Sequence, residues 1–300
     1  MGADLLVTLD AVIVAVTGVQ PRVLTVAGTP PALPSGPLSV ADDETLELGM
    51  RRVIGEQTGV EVGYIEQLYT FGDRERIRSP GGPRVLSIAY LALVREASTA
   101  PEARWIDWYA LLPWEDHREG VPAILTDHVL PRLSDWADQD VDRRARVSVS
   151  FGVDTPWDPI RALERYELLY EAGLVAEAIR DRRDDRPVPP TGVEMASDHR
   201  RICATALGRL RGKLTYRPVV FELMPDEFTL SELQRTVEAL VGLRLHKQNF
   251  RRLVDREHLV EGTGRHAPST GGRPAELYRF RRSVVGERPR PGMRLPPFRG

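Results

Sequence analysis

Three positions on one face of a predicted helix in the first quarter of the chain are close enough to share a metal ion, but only one of them carries a carboxylate. A helix is predicted over residues 43–58, and positions 53, 56 and 57 share one face of it, because residues three and four apart are neighbours on a helix. Mg²⁺ prefers carboxylate oxygens, but only Glu56 supplies them here, since Val53 offers no ligand and Gln57 a neutral amide. Displacement at a phosphoanhydride needs metal ions to neutralise developing charge. The sequence therefore predicts no catalytic residue and no metal site at this face.

A second cluster combines amide and basic side chains at the start of a helix predicted over residues 243–260. In a helix-turn-helix, the N-terminal end of the second helix enters the major groove of DNA. Asn and Gln can pair with adenine edges there, and Lys or Arg with guanine or phosphate. Phe250 and Leu253 have the spacing of a core-facing stripe. The candidate DNA-binding residues are His246, Lys247, Gln248, Asn249, Arg251 and Arg252, joined by Arg265 and Arg273 in the segment that follows.

The elements that must position the first cluster are mostly strands. Apolar, β-branched runs predict strands, whereas a run rich in Pro and Gly, residues 29–37, excludes regular structure. Further helices are expected around 122–138 and over 160–180, with Gly173 as a break. The predicted strands cover residues 5–17, 23–28, 64–72 and 85–94.

The elements that must position the second cluster have the order of a winged helix-turn-helix. A charged, Pro-rich linker is predicted over residues 183–192, followed by a helix over 195–214 with Ser197 as N-cap. An extended piece is predicted over 217–225. Thr229 and Glu232 form a capping box for the next helix, which ends at Gly242. The recognition helix and a basic wing, with a strand over 276–282, complete the pattern.

Charge is distributed unevenly along the 300 residues. Residues 1–150 carry 14 basic and 22 acidic side chains, residues 151–200 carry 7 and 11, and residues 201–300 carry 20 and 10. The net charges are thus −8, −4 and +10, which indicates a polyanionic partner for the last third. No apolar run is long enough to span a membrane, the start lacks the features of a signal peptide, and Cys203 is the only cysteine. These features predict a cytoplasmic protein without a disulfide.

The region 38–60 resembles the Nudix box of nucleotide hydrolases. Leu38 stands where that motif begins with Gly, and Val53 and Gln57 replace two of its glutamates. The resemblance implies a Nudix-like α/β/α sandwich whose box has degenerated. The matching residues are Glu44, Arg52, Ile54, Glu56, Gly59 and Val60.

Later segments of the first half resemble, in order, those of ADP-ribose-type Nudix domains. The likeness rests on YIEQLYTFGDRERIRS, RVLSIAYLALV, ARWIDWYALLPW and ILTDHVLPRL. It implies a pocket with aromatic walls for a base and arginines for phosphates. The candidate nucleotide-binding residues are Arg52, Glu56, Phe71, Arg74, Arg78, Arg84 and Tyr90.

Residues 216–280 resemble the C-terminal domain of NrtR-type transcriptional regulators. YRPVVFELMPDEFTLSELQRTVEALVG, KQNFRRLV and GGRPAELYRF carry this likeness, and the helical block at 155–182 is more similar to the longer NadQ-type regulators. The resemblance implies an α+β protein, with a Nudix-like sandwich followed by a winged helix-turn-helix. It also implies a homodimeric repressor of NAD biosynthesis genes that binds a palindromic operator in double-stranded DNA and contacts no membrane. It implies no required cofactor but a nucleotide effector: NAD, ADP-ribose or ATP.

The predicted division of the chain has four parts. A nucleotide-sensing domain is expected over 1–145, a helical insert and linker over 146–194, the DNA-binding domain over 195–285, and an Arg- and Pro-rich tail over 286–300. Two alternatives to a regulator remain open. One is a Mg²⁺-dependent ADP-ribose-type pyrophosphohydrolase fused to a nucleic-acid-binding domain, and the other is a winged helix that binds RNA or protein.

Overall fold

The computed structural model describes residues 5–72, 83–96, 99–268, 274–287 and 292–293. The first part of the chain forms one mixed sheet, in which a long central strand is buried along most of its length. A strand covered on both faces needs a continuous apolar run rather than an alternating one. The strands are β1 (Leu5–Thr17), β2 (Gln20–Val26), β3 (Ser35–Pro37), β4 (Tyr64–Phe71), β5 (Arg84–Leu93) and β6 (Ala103–Asp107).

The sheet has the order β4-β5-β1-β2-β6, and β3 pairs with the first part of β1. Strands β1 and β5 are parallel, whereas the other neighbours are antiparallel. The predicted strands are confirmed, with β2 beginning earlier than expected. The exclusion of regular structure over 29–37 was wrong at its end, because Ser35–Pro37 hydrogen-bonds to an inner strand.

Helices cover both faces of the sheet and continue into the C-terminal region. The described part of the chain also contains irregular helical turns: 3₁₀ turns at Pro113–Glu115 and Val219–Leu223, and a π turn at Leu125–Val129. The α-helices are α1 (Leu46–Thr58), α2 (Trp108–Leu111), α3 (Leu130–Ala137), α4 (Val141–Phe151), α5 (Ala162–Glu171), α6 (Ala176–Arg182), α7 (His199–Leu214), α8 (Leu230–Val241), α9 (Lys247–Glu257) and α10 (Val284–Glu287).

Two apolar cores lie on opposite faces of the sheet. The smaller core packs α1 against the strands through Met50, Val53 and Ile54. The larger core begins on the other face, at Val12 and Val14, and continues without interruption through α5 and α7 into α8 and α9. The sheet and the helix-turn-helix are thus joined by buried apolar contact, and the four-part division of the chain stays a prediction.

The C-terminal elements form a helix-turn-helix with a two-stranded wing. Helix α8 begins with the predicted capping box of Thr229 and Glu232 and ends at Gly242, whose φ of 76° suits glycine. A short turn leads to α9, and strands β7 (Val260–His266) and β8 (Glu276–Phe280) pair antiparallel behind it.

Two local predictions in this region were wrong. Residues 217–225 are not extended, because Val219–Leu223 forms a 3₁₀ turn that buries Val219, Val220 and Leu223. Ser197 does not cap α7, since the helix begins one residue beyond Asp198 and no side chain caps its first turn.

The predicted linker is irregular but is held against the rest of the molecule. Thr191 is buried and donates from its hydroxyl to the Leu174 carbonyl at 2.6 Å. A Cβ on Gly192 would lie 2.7 Å from the Ala110 carbonyl oxygen, so the chain needs glycine to pass there. Among the described residues, no helix is long and apolar enough to cross a membrane.

Candidate functional site

The face of α1 where a Nudix box would place its metal ligands is closed by packing against β3. Val53 is buried, and a Cβ on Gly36 would lie 2.8 Å from its Cγ2 atom. The Gln57 amide pairs with the backbone of Ser35, donating from Nε2 to the carbonyl at 2.7 Å and accepting from the N–H at 3.0 Å. A carboxylate could accept but could not donate, so glutamine suits this lock and glutamate does not.

Arg52 forms ion pairs with two carboxylates of the same region. Arg52 donates to both carboxylate oxygens of Asp43, at 2.9 and 2.8 Å, and also contacts Glu56 at 3.2 Å. The Arg52 guanidinium and the Ser39 N–H hold the pKa of Asp43 at about 2. Glu56 is largely exposed. Within the described ranges, no group of three or more His, Cys, Asp or Glu could hold a metal ion.

Of the other predicted nucleotide-binding residues, those that the structure describes do not come together. Phe71 lies in the larger core, with the Arg201 guanidinium 5.7 Å from its ring centre, whereas Tyr90 lies in the smaller core on the opposite face of the sheet. Arg84 is exposed at the start of β5 and donates to the Gly72 carbonyl at 3.0 Å. Arg74 and Arg78 lie outside the described residues.

A cleft of about 680 Å³ opens beside the C-terminal part of α1. Its walls come from two distant parts of the chain: the sheet domain contributes Glu56, Gln57 and Glu102, and the approach to α7 contributes Ser197 and His199. We call it the junction cleft. The sequence did not reveal this site, because the cleft forms only where segments some 140 residues apart meet, and no local pattern marks such a contact.

His199 fixes one corner of the junction cleft. Its Nδ1 accepts from the backbone N–H of Leu33 at 2.9 Å, and Leu33 also lines the cleft. This contact joins the first turn of α7 directly to the loop before β3. The cleft wall and the first helix of the C-terminal region are therefore mechanically connected.

The N-terminal part of α9 presents its polar side chains to solvent. Phe250 and Leu253 are buried, as the periodicity predicted. Among the described residues, Lys247, Arg251 and Arg252 make no salt bridge. The exposed predicted DNA-binding residues of this region are His246, Lys247, Gln248, Asn249, Arg251 and Arg252.

Two arginines on the described strands of the wing are paired with carboxylates, unlike the cations at the start of the recognition helix. Arg265 is exposed but forms an ion pair with Glu227. On the other strand, Arg279 pairs with Glu261 at 2.6 Å. Arg273 lies outside the described residues.

A buried cluster of charges lies where the sheet domain, the helical insert and α7 meet. The Glu115 carboxylate accepts from Arg165 at 2.6 and 2.8 Å and also from Arg211, and the side chains of all three residues are fully buried. Burial alone would raise the pKa of Glu115, but the two guanidiniums outweigh it, so the pKa lies below its usual range. The cluster therefore stays ionised and ties three segments together.

A second buried ion pair anchors the start of α7. Glu177 of α6 accepts from Arg200 at 3.2 Å and from the Met195 N–H at 2.9 Å. Arg200 also donates to the Leu111 carbonyl at 2.7 Å and to the Thr191 carbonyl. Sequence reasoning missed both charge clusters, because an arginine on an amphipathic helix ordinarily indicates a solvent-facing position.

The C-terminal region of the chain resembles known DNA-binding proteins in sequence. Residues 220–280 match the family model of the NrtR DNA-binding winged helix domain. A segment covering 29% of this chain is 40% identical over 88 residues to the ADPR responsive transcriptional repressor NtrR of Acinetobacter baylyi. That segment spans 35% of the relative, about a third of its length.

Solved structures match nearly the whole chain in fold. NrtR of Shewanella oneidensis in complex with a 27mer DNA has a TM-score of 0.57 at 22% identity, over 93% of this chain and 95% of that one. A MutT/nudix family protein from Enterococcus faecalis has a TM-score of 0.56 at 19% identity, over 94% and 88%. These likenesses confirm the predicted fold class, a Nudix-like α+β domain followed by a winged helix. Residues 220–280 are thus similar in sequence to the NrtR winged helix domain, and nearly the whole chain has the same fold as the solved Shewanella NrtR.

Proposed function

We propose that this protein is a DNA-binding transcriptional regulator, a repressor of NAD biosynthesis genes. The observation that carries the proposal is the exposed N-terminal part of α9, where Lys247, Arg251 and Arg252 have no salt bridge to any described residue. These cations stand on the recognition helix of a domain that matches the NrtR winged helix family. Open cations at that position suit phosphates and guanine edges.

The Nudix-like half is the sensor in this proposal, and its ligand is a nucleotide: ADP-ribose, NAD or ATP. The junction cleft, at about 680 Å³, has the size of small-molecule sites in general. ADP-ribose is the first ligand to test, since the Acinetobacter relative is named as responsive to it. The described lining carries Glu56 and Glu102 but no Arg or Lys, and the predicted phosphate-binding residues Arg74 and Arg78 lie outside the described residues.

The sensor binds without hydrolysis and without a required metal or other cofactor. Val53 and Gln57 hold β3 against α1 at the positions where a Nudix box has metal-binding glutamates. One observation favours the alternative of a Mg²⁺-dependent pyrophosphohydrolase: Glu56 and Glu102 both line the junction cleft. The first test therefore includes that activity.

The regulator acts as a homodimer on a palindromic operator. Two-fold symmetry in a helix-turn-helix dimer places the two recognition helices about one helical turn of DNA apart, or a multiple of it. A nucleotide that prefers one spacing of the two helices changes DNA affinity by the size of that preference.

The test is fluorescence anisotropy of the purified protein on duplex DNA from upstream of the host's NAD biosynthesis genes. A scrambled duplex at the same salt concentration is the control, and ADP-ribose, NAD and ATP are added separately. Specific binding in the nanomolar range, shifted by one nucleotide, supports the regulator. Equal binding to both duplexes contradicts it, and Mg²⁺-dependent release of AMP from ADP-ribose, lost in Glu56→Gln, would support the hydrolase.

A further inference from the structure

The carbonyl groups at the end of α8 are capped by side chains and backbone from elsewhere in the molecule. A helix leaves its last carbonyls without partners inside the helix. Tyr109 donates from its hydroxyl to the Ala239 carbonyl at 2.7 Å, and Arg211 donates from Nε to the Leu240 carbonyl at 3.1 Å. Arg211 is itself held by Glu115. The first helix of the helix-turn-helix thus ends against groups fixed by the sheet domain.

The same segment of the sheet domain contacts the turn that leads into the recognition helix. The His117 N–H donates to the Gly242 carbonyl at 2.8 Å, and Glu119 forms an ion pair with Arg244. The approach is close, because a Cβ on Gly242 would lie 2.3 Å from the Glu115 carbonyl oxygen. We call residues 109–119 the capping segment.

The capping segment is held firmly on its own side. Asp107 caps its start by accepting from the Tyr109 N–H at 2.9 Å. The His117 ring lies 3.9 Å from the Trp157 ring, centre to centre. Together with the buried Glu115 cluster, these contacts leave the segment little freedom to move independently of the sheet and of α5.

Two elements connect the capping segment to the junction cleft. Strand β2 lines the cleft at Val26 and pairs there with Ala103 of β6, the strand that runs directly into the capping segment. Helix α7 begins beside the cleft at His199 and carries Arg211 near its other end. An occupant of the cleft would therefore contact α7, which carries Arg211, and β2, which pairs with the strand that leads into the capping segment.

We propose that the capping segment positions the recognition helix for DNA, and that a ligand in the junction cleft acts on DNA binding through it. The second clause rests on the proposed function, whereas the first concerns only contacts within the chain. Tyr109 and Glu119 are positioning residues: they touch the turn before α9 and lie outside the set of residues assigned to DNA contact.

The test compares Tyr109→Phe with Tyr170→Phe, each of which removes one hydroxyl. Tyr170 donates to Asp181 at 3.0 Å in the helical insert, away from the turn. Hydrogen exchange is followed at the amides of Gly242 and Leu245, which both donate to Glu238 of α8, with those of α1 as the internal reference. Operator binding is measured by anisotropy with and without ADP-ribose.

The expected result is local. Tyr109→Phe speeds exchange at the Gly242 and Leu245 amides by about fivefold and weakens operator binding by about as much, the effect of one lost hydrogen bond. Exchange in α1 stays unchanged, and Tyr170→Phe changes neither quantity. ADP-ribose also changes operator affinity less in Tyr109→Phe than in the wild type, whereas Tyr170→Phe keeps the wild-type response.

Equal behaviour of the two variants in both exchange and operator binding overturns the positioning role. Gly242→Ala is a second test in case loss of the Tyr109 hydroxyl alone has too small an effect, because the added Cβ would clash with the Glu115 carbonyl oxygen and displace the turn. Unchanged exchange and operator affinity in Gly242→Ala would also overturn the positioning role. If ADP-ribose leaves wild-type binding unchanged, the effector part of the proposed function fails. The exchange measurement then still decides whether the capping segment positions α9.

Discussion

Helix α1 and helix α9 both carry clustered arginines, and the molecule treats their charges in opposite ways. On α1, Arg51 pairs with Glu47 at 2.9 Å and Arg52 with Asp43 at 2.8 Å. On α9, the cations of the first turns make no salt bridge within the part of the chain that the structure describes. Arginines that are paired with carboxylates of the same chain stabilise the fold, whereas exposed cations without such partners are available to bind another molecule.

Burial separates the two regions further. The face of α1 that packs against β3 is filled by Val53 and by the amide of Gln57, whereas the outer face of α9 is open to solvent. Substitutions on the filled side should therefore change the free energy of unfolding. Substitutions on the open side should change DNA binding and leave stability intact.

The largest expected effect is at the buried cluster of Glu115, Arg165 and Arg211, where the charges are fully buried and fully paired. Glu115→Ala leaves two buried guanidiniums without their counter-ion, so we expect a loss of about 3–5 kcal/mol in the free energy of unfolding. Urea unfolding followed by circular dichroism measures it. Glu171→Ala is the control, because its pair with Arg146 is exposed and is worth less than about 1 kcal/mol. Similar losses in the two variants would contradict the cluster's structural role.

The next effect tests the lock between α1 and β3. Gln57→Glu keeps an acceptor for the Ser35 N–H but removes the donor to the Ser35 carbonyl, so we expect a loss of about 2–3 kcal/mol at neutral pH. Unfolding in urea gives the value, and Glu56→Gln, on the exposed side of the same turn, serves as the matched control. If the variant were as stable as wild type, a glutamate at position 57 would not change the free energy of unfolding, and the Gln57 amide would not be what holds β3 against α1.

These two sites also show what the sequence could reveal. Gln57 stands out because the surrounding motif is local, and the capping box of Thr229 was visible for the same reason. Glu115 was invisible, since its partners Arg165 and Arg211 are 50 and 96 residues away. Periodicity places a residue on a helix face but does not say which distant element covers that face.

The candidate sites divide in the same way. The recognition helix could be predicted because its apolar and polar positions alternate within a few turns. The junction cleft could not, because it forms only where the residues at the start of α7 approach the C-terminal end of α1. The two aromatic residues chosen for a pocket, Phe71 and Tyr90, fall on opposite faces of the sheet, and side-chain direction depends on a register that the sequence does not specify.

The free energy of unfolding should depend on pH through His117, which lies against the turn between α8 and α9. Burial lowers its pKa to about 4, against the opposing influence of Glu115 and with help from Arg165 and Arg211. The unfolded chain, with a pKa near 6.5, binds a proton that the folded protein rejects. Stability is therefore complete above about pH 6.5 and is lost as the pH falls toward 4.

Substitution isolates this histidine from the others. His117→Asn should flatten the difference between pH 7 and pH 4.5 by about 1–2 kcal/mol, allowing for its partial exposure. Urea titrations of both proteins at the two pH values measure the change. The assignment of this pH dependence to His117 would fail if the variant kept the wild-type slope.

The smallest expected change in free energy is in operator binding, on substitution of the exposed cations of α9. Lys247→Ala and Arg251→Ala should each weaken operator binding by about fivefold, and each should lower the slope of log affinity against log salt by about one if the cation contacts a phosphate. Arg256→Ala is the matched control on the same helix, since Arg256 already pairs with Glu257 at 3.1 Å in the last turn. Neither test variant should change urea stability, because neither side chain is buried. If Arg256→Ala weakened binding as much as Lys247→Ala, helix position and open charge would not distinguish the DNA-facing cations, and the contrast between α1 and α9 would lose its functional meaning.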